Sequence, residues 1–146
     1  CGKLLTAQDL TVSLWDTCTG GMLADLLTQV SNHYEFFKGG FITTESDTNH
    51  FGLRESDYQN NRSISQQTAT DMAESIRKEM MSDIGIGIIG ETEPNESTTI
   101  QSANLYISIA GVGGTSEITT NVAARSITIK RRAANTSLIE LAKLLR

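Results

Sequence analysis

The run Ile84-Gly85-Ile86-Gly87-Ile88-Ile89-Gly90 constrains this chain more than any other segment. β-Branched isoleucines suit a pleated, buried strand, whereas glycine weakens a strand and is kept where something must approach the backbone. With glycine on alternate positions, one face of the strand is bare, so a helix, another backbone or a ligand lies directly on it. The segment predicts a central strand with a closely seated layer on that face.

The flanking periodicities extend this frame. Residues 2–8 read as the end of a helix, and Leu10-Thr11-Val12-Ser13-Leu14-Trp15 alternates as a strand that stops at a polar turn. Gly20-Gly21 then opens a helix over 22–29, with Leu23, Leu26, Leu27 and Val30 on one side. A turn at 31–33 precedes a second strand at 40–44. The polar stretch that follows is expected to hold a short helix near 47–53 and a loop ending at Ser65, the N-cap of a helix through Met81. In that helix Ala69, Met72, Ala73, Ile76 and Met80 keep helical spacing. Residues 91–102, with the only proline, read as a loop, 105–110 as a strand, 111–114 as its turn and 117–129 as one or two further strands. Residues 130–146 close the chain as a helix. Alternating strands and helices that end in a hairpin predict an α/β fold: a three-layer α/β/α sandwich on a mixed, mostly parallel sheet, forming one domain over residues 1–146.

Composition excludes several classes of function. At 146 residues the chain can bury roughly 70% of its unfolded surface as one domain, so neither a metal nor a disulfide is required for folding. The net charge of -5 repels phosphate backbones, and nucleic acid is not an expected partner. No segment reaches the ~18 uninterrupted apolar residues of a membrane span. Two cysteines, Cys1 and Cys18, and no basic-then-apolar leader pattern point to a reducing cytoplasm. The one basic cluster, Lys130, Arg131 and Arg132, is expected to open the last helix, either solvated or touching a single phosphate.

Ligands of such folds gather at the C-terminal ends of strands, which selects the loops 15–21, 43–50 and 90–102. The first is the most informative, because Thr17-Cys18-Thr19-Gly20-Gly21 joins a strand directly to a helix. Its N–H groups and the helix dipole suit an anion, and the glycines admit a ligand to the backbone. The same residues would also serve simply to cap the helix.

The run from Leu10 through Asp16-Thr17-Cys18-Thr19-Gly20-Gly21-Met22 closely resembles the hallmark of the CinA C-terminal domain family, an apolar strand leading into A-E-S-C-T-G-G. Tyr34 to Thr43 is similar to the family's aromatic-phenylalanine-x-G-G-V-V-T stretch. Ile64-Ser65 with Met72-Ala73 is similar to V-S-x-x-V-x-x-x-M-A, and Ile88-Ile89-Gly90 with Pro94 to the loop T-G-I-A-G-P. Family members carry further helix residues before the position of Lys3, so the first helix is expected to be incomplete.

The resemblance implies an amidohydrolase that converts nicotinamide mononucleotide and water to nicotinic acid mononucleotide and ammonia without a cofactor. A serine acts as nucleophile and a lysine as its base, since a hydroxyl attacks poorly until its proton is accepted. Here the serine position is Thr17, the lysine position Asn49 and the tyrosine position Thr44. Cys18, Thr19, Gly20, Gly21, Gly39, Gly40 and Gly90 fall on the family's ligand-binding positions. Glu91 and Glu93 stand where a phosphate would want donors, K-P-V-G-T falls on 100–104 and G-D-R on Ser126-Ile127-Thr128, with those residues changed. His50 and Lys38 are the candidates for a replacement base, and His33 is expected in a solvated turn. The expectation is a weak or inactive relative of the amidohydrolase that still takes a small molecule. The alternative is a non-catalytic binding or oligomeric module, and self-association is expected in either case.

Overall fold

The structure, a computed structural model, describes residues 1–44, 64–93, 99–111 and 113–146. In chain order the elements are α1 (Gly2–Ala7), β1 (Val12–Asp16), α2 (Met22–Thr28), a 3-10 turn (His33–Glu35), β2 (Phe37–Ile42), α3 (Gln66–Glu79), β3 (Ile84–Glu93), β4 (Gln101–Gly111), β5 (Gly114–Ala124) and α4 (Ser126–Leu144). The sheet order is β2-β1-β3-β4-β5. β1 runs parallel to β2 and β3, while β3–β4 and β4–β5 are antiparallel. Four strands therefore point one way and only β4 is reversed, so the sheet is mixed as expected, with parallel pairing confined to its first three strands.

The three layers follow from the alternation of each strand. Trp15 and Ile89 face α3, where they pack with Ala69, Met72 and Ile76. Val12, Leu14, Ile86, Ile88, Ile107 and Ile109 face the other way, against Leu5 of α1, Leu23 and Leu27 of α2 and Ala133 and Leu141 of α4. The bare face predicted from glycine is occupied by a helix. A Cβ on Gly85 would stand 2.0 Å from the Ala73 carbonyl oxygen and one on Gly87 2.2 Å from that of Ala69, so any side chain there would push α3 off the sheet. Ser65 caps α3 as predicted, its side chain accepting from the Thr68 N–H.

Several boundaries move. β2 starts at Phe37 rather than 40, so its glycines lie inside the strand; a Cβ on Gly40 would stand 2.0 Å from the Leu14 carbonyl oxygen, and Gly39 has φ of +107° beside a register shift. Gly40 is explained by the close approach of β1 and Gly39 by its left-handed backbone, beside which the Met80 side chain packs. The expected loop 91–102 is strand at both ends, because Glu91, Thr92 and Glu93 pair with Asn104, Ala103 and Ser102 in a long hairpin. α4 starts at Ser126 rather than 130. The β-branched Ile127, Thr128 and Ile129 suggest strand, but β5 ends at Ala124 and Ile129 is buried in the helical layer. The helix expected near 47–53 lies outside the described residues.

At the N-terminal ends of β1 and β3, the Asp83 carboxylate accepts from the Thr11 hydroxyl at 2.6 Å and the Thr11 N–H at 2.8 Å. These bonds hold the Asp83 carboxyl below the usual carboxylate range. Among the described residues no helix is long and apolar enough to cross a membrane.

Candidate functional site

The site is built at the C-terminal ends of β1 and β3. β1 ends in Asp16, whose side chain points away from α3 and is fully buried. A buried carboxylate must find donors, and the next loop supplies them. Oδ1 accepts from the N–H of Cys18 at 2.9 Å and of Thr19 at 2.7 Å, and Oδ2 accepts from the Gly21 N–H at 3.3 Å and from the Thr19 hydroxyl. Wrapping four donors around one carboxylate requires a tight reversal, which Gly20 (φ +66°) and Gly21 (φ +98°) make in the left-handed region. Cys18, Thr19 and Gly21 thus turn their N–H groups inward, and the anion at the start of α2 is the chain's own. This corrects the expectation that these groups face an outside ligand.

Thr17 lies just past β1 and is half-buried. Its N–H donates to the Ile88 carbonyl at 3.0 Å, and its hydroxyl donates to that same oxygen at 3.2 Å. The proton of the proposed nucleophile is thus directed at a backbone carbonyl, which is no base. Beside it opens a cavity of about 110 Å³, lined by Thr17 and Cys18 after β1, Gly90 and Thr92 of β3, Gln101 of β4, and Ser126 and Lys130 of α4. A Cβ on Gly90 would meet the Cys18 Sγ at 3.1 Å and Leu105 Cδ2 at 3.0 Å, so glycine there leaves this wall thin. A space of this size takes a phosphate or a carboxamide rather than a whole drug-sized ligand.

The electrostatics of the cavity come from α4. Its first turn has no side-chain cap and no acidic residue, so its N-terminal N–H groups carry an uncompensated partial positive charge. Lys130 adds a full one. Ser126 and Lys130 stand i, i+4 on one face, which is why both reach the cavity. The Lys130 Nζ lies 3.5 Å from where a Cβ on Gly20 would be, and among the described residues no carboxylate lies within ion-pair distance of it. Arg131 and Arg132 are exposed. Only one member of the basic cluster therefore joins the site, and it does so from the second turn of the helix rather than from its start. Sequence reasoning offered the whole cluster to a phosphate or to solvent and did not single out Lys130, because the helix start was placed at residue 130.

The remaining expected site residues scatter. Thr19 is buried under Asp16, with its oxygen 3.4 Å from the Leu23 N–H. Gly20 and Gly21 shape the loop, and Gly39 and Gly40 lie within β2 and line no part of the cavity. Thr44 is exposed beyond β2, and Lys38 is exposed on that strand, away from its C-terminal end. Asn49 and His50 lie outside the described residues. His33 is half-buried in the 3-10 turn, its Nδ1 2.9 Å from the Val30 carbonyl oxygen. Trp15 is fully buried, stacks edge-on against Phe41 and donates to the Thr43 hydroxyl at 2.9 Å. Glu91 is exposed.

Comparison with known proteins agrees with this architecture. The family model of the CinA C-terminal domain matches residues 1–145. A putative competence-damage inducible protein of Halothermothrix orenii is 32% identical over 116 residues, 77% of this chain and 28% of that protein. A CinA-like protein of Desulforapulum autotrophicum is 31% identical over 115 residues, 77% of this chain and 27% of that protein. The chain thus spans just over a quarter of the length of these curated relatives. Among solved structures, the competence or damage-inducible protein of Enterobacter asburiae superposes with a TM-score of 0.82 at 26% identity, covering 99% of this chain and 93% of that one. A CinA superfamily protein of Enterobacter cloacae, at 24% identity and a TM-score of 0.83 over 99% of this chain and 88% of its own, shares the fold. The chain belongs to the CinA C-terminal domain family.

Proposed function

We propose that this domain binds a small anionic ligand, a nicotinamide nucleotide first among the candidates, with only its phosphate or its carboxamide seated in the cavity lined by Thr17 and Lys130, and that its amidohydrolase activity is weak or absent. The observation that carries this reading is the Thr17 hydroxyl, which donates to the Ile88 carbonyl while the family's lysine position is Asn49. An unactivated secondary hydroxyl attacks an amide poorly. The positive wall supplied by Lys130 and the start of α4 favours retention of an anion. A reducing cytoplasmic setting belongs to the same reading.

One observation favours a second reading. Thr17 and Lys130 both line the same cavity, a hydroxyl and an amine that would form a new nucleophile and base if the hydroxyl turned from Ile88. Incubation of the protein with nicotinamide mononucleotide at several pH values separates the two through ammonia release. Binding without ammonia, weakened in Lys130→Gln, is the expected result. Ammonia release abolished by both Thr17→Ala and Lys130→Met would establish the second reading, and no binding in any form would overturn the first.

A further inference from the structure

The two edges of the sheet are protected unequally. β2, at one edge, has six residues, a register shift against β1, a lysine and a left-handed glycine, devices that discourage another strand from adding on. β5, at the other, runs for eleven residues and pairs with β4 from Gly111↔Gly114 to Gln101↔Ala124 without a shift. It contains no proline and no basic residue, and its single charge is Glu117. That carboxylate accepts from the Thr70 hydroxyl at 2.7 Å. Thr115 and Thr119 donate to Glu74 and Gln66 at 3.4 and 2.8 Å, so α3 holds the first half of the strand in place. Among the described residues nothing pairs with its outer side.

We propose that β5 is the surface through which two copies of this chain associate, antiparallel about a two-fold axis at Thr119, so that the two sheets become continuous. The inference is independent of the ligand reading above. A second copy fits better than an unrelated strand, because Thr119 is the midpoint of β5 and a strand paired with itself obeys the symmetry of closed dimers. In that register Glu117 faces Asn121 of the partner subunit and Ile118 faces Thr120 of the partner subunit. The two carboxylates are kept apart and each meets an amide. Pairing eleven residues in this way forms roughly ten main-chain hydrogen bonds, the number found in an ordinary protein–protein interface.

Sedimentation equilibrium of the full chain tests the proposal, with circular dichroism confirming the fold of each variant. The expected result is a concentration-dependent dimer. Asn121→Asp places a carboxylate opposite Glu117 twice per dimer and raises the dissociation constant roughly tenfold, whereas Asn121→Lys places an amine there and lowers it by a similar factor. Asn121→Ser, which gives up the 2.8 Å bond to Asn104 without adding charge, leaves it within about twofold. A monomer at every concentration, or a dimer whose dissociation moves the same way or not at all with Asp and Lys at 121, would overturn it.

Discussion

Helices α2 and α4 both begin beside the cavity, and each leaves N–H groups that its own turns cannot satisfy. At α2 the preceding loop fills the gap: the Thr19 carbonyl accepts from the Met22 N–H and the Thr19 hydroxyl from the Leu23 N–H, both at 3.4 Å, while Asp16 holds that loop through the N–H groups of Cys18, Thr19 and Gly21. At α4 the residue before the helix is Arg125, with no side-chain cap and no acid in the first turn. The start of one helix is therefore closed by the chain's own acceptors, and the start of the other has no side-chain cap. A glycine-rich strand-to-helix turn need not be the anion site of its own fold when an acid precedes it.

The largest test of this contrast is Asp16→Ala. It leaves up to four donors without an acceptor in a buried place, and a loss of about 3 kcal/mol of unfolding free energy is expected from urea titration. A loss below about 1 kcal/mol would mean that water replaces the carboxylate and that the two helices differ less than the contacts suggest. Next in size is Lys130→Gln. Removing the cation should weaken binding of a phosphate-bearing ligand roughly tenfold in calorimetric titration while moving stability by less than about 0.5 kcal/mol. Equal affinity would place the anion elsewhere. Ser126→Asp gives α4 its own acid, as α2 already has; a gain of about 0.5 kcal/mol in stability with a fall in anion affinity is expected. A rise in affinity would break the comparison.

What the sequence disclosed divides along a physical line. The seating of α3 was legible because absent side chains at Gly85 and Gly87 state directly that a backbone comes close. The Ser65 cap was legible for a local reason too, since the capping bond spans three residues. The role of Asp16 was within reach: an acid two and three residues before N–H groups is a common local turn, but the hydroxyls and glycines after it drew attention outward. Lys130 was hidden by Ser126-Ile127-Thr128-Ile129, whose β-branched residues favour a strand until packing against the sheet makes them a helix turn. Moving the helix start by four residues leaves the face of Lys130 unchanged but places it in the second turn, with Ser126 one turn before it on the same face. The unequal protection of β2 and β5 depends on strand order, which no local pattern reveals.

A third acid, at the far end of the sheet, separates structural carboxylates from those that shape the site. Asp83 joins β3 to β1 through Thr11, and its carboxyl is held below the ordinary range chiefly by the Thr11 hydroxyl and N–H. The native state thus releases this proton more readily than the unfolded chain. Its contribution is full above the unfolded carboxylate range, near ~4, and is lost as pH falls through the depressed native value. Solvent screening limits the effect, so Asp83→Asn should cost about 0.5 kcal/mol at pH 7 and close to nothing near pH 2. Urea midpoints of the two proteins that converge as the pH is lowered, with ligand affinity at the opposite end unchanged, are the expected result. Midpoints that stay equally apart at every pH would show that Asp83 acts through shape and hydrogen bonding alone, as a neutral acceptor would.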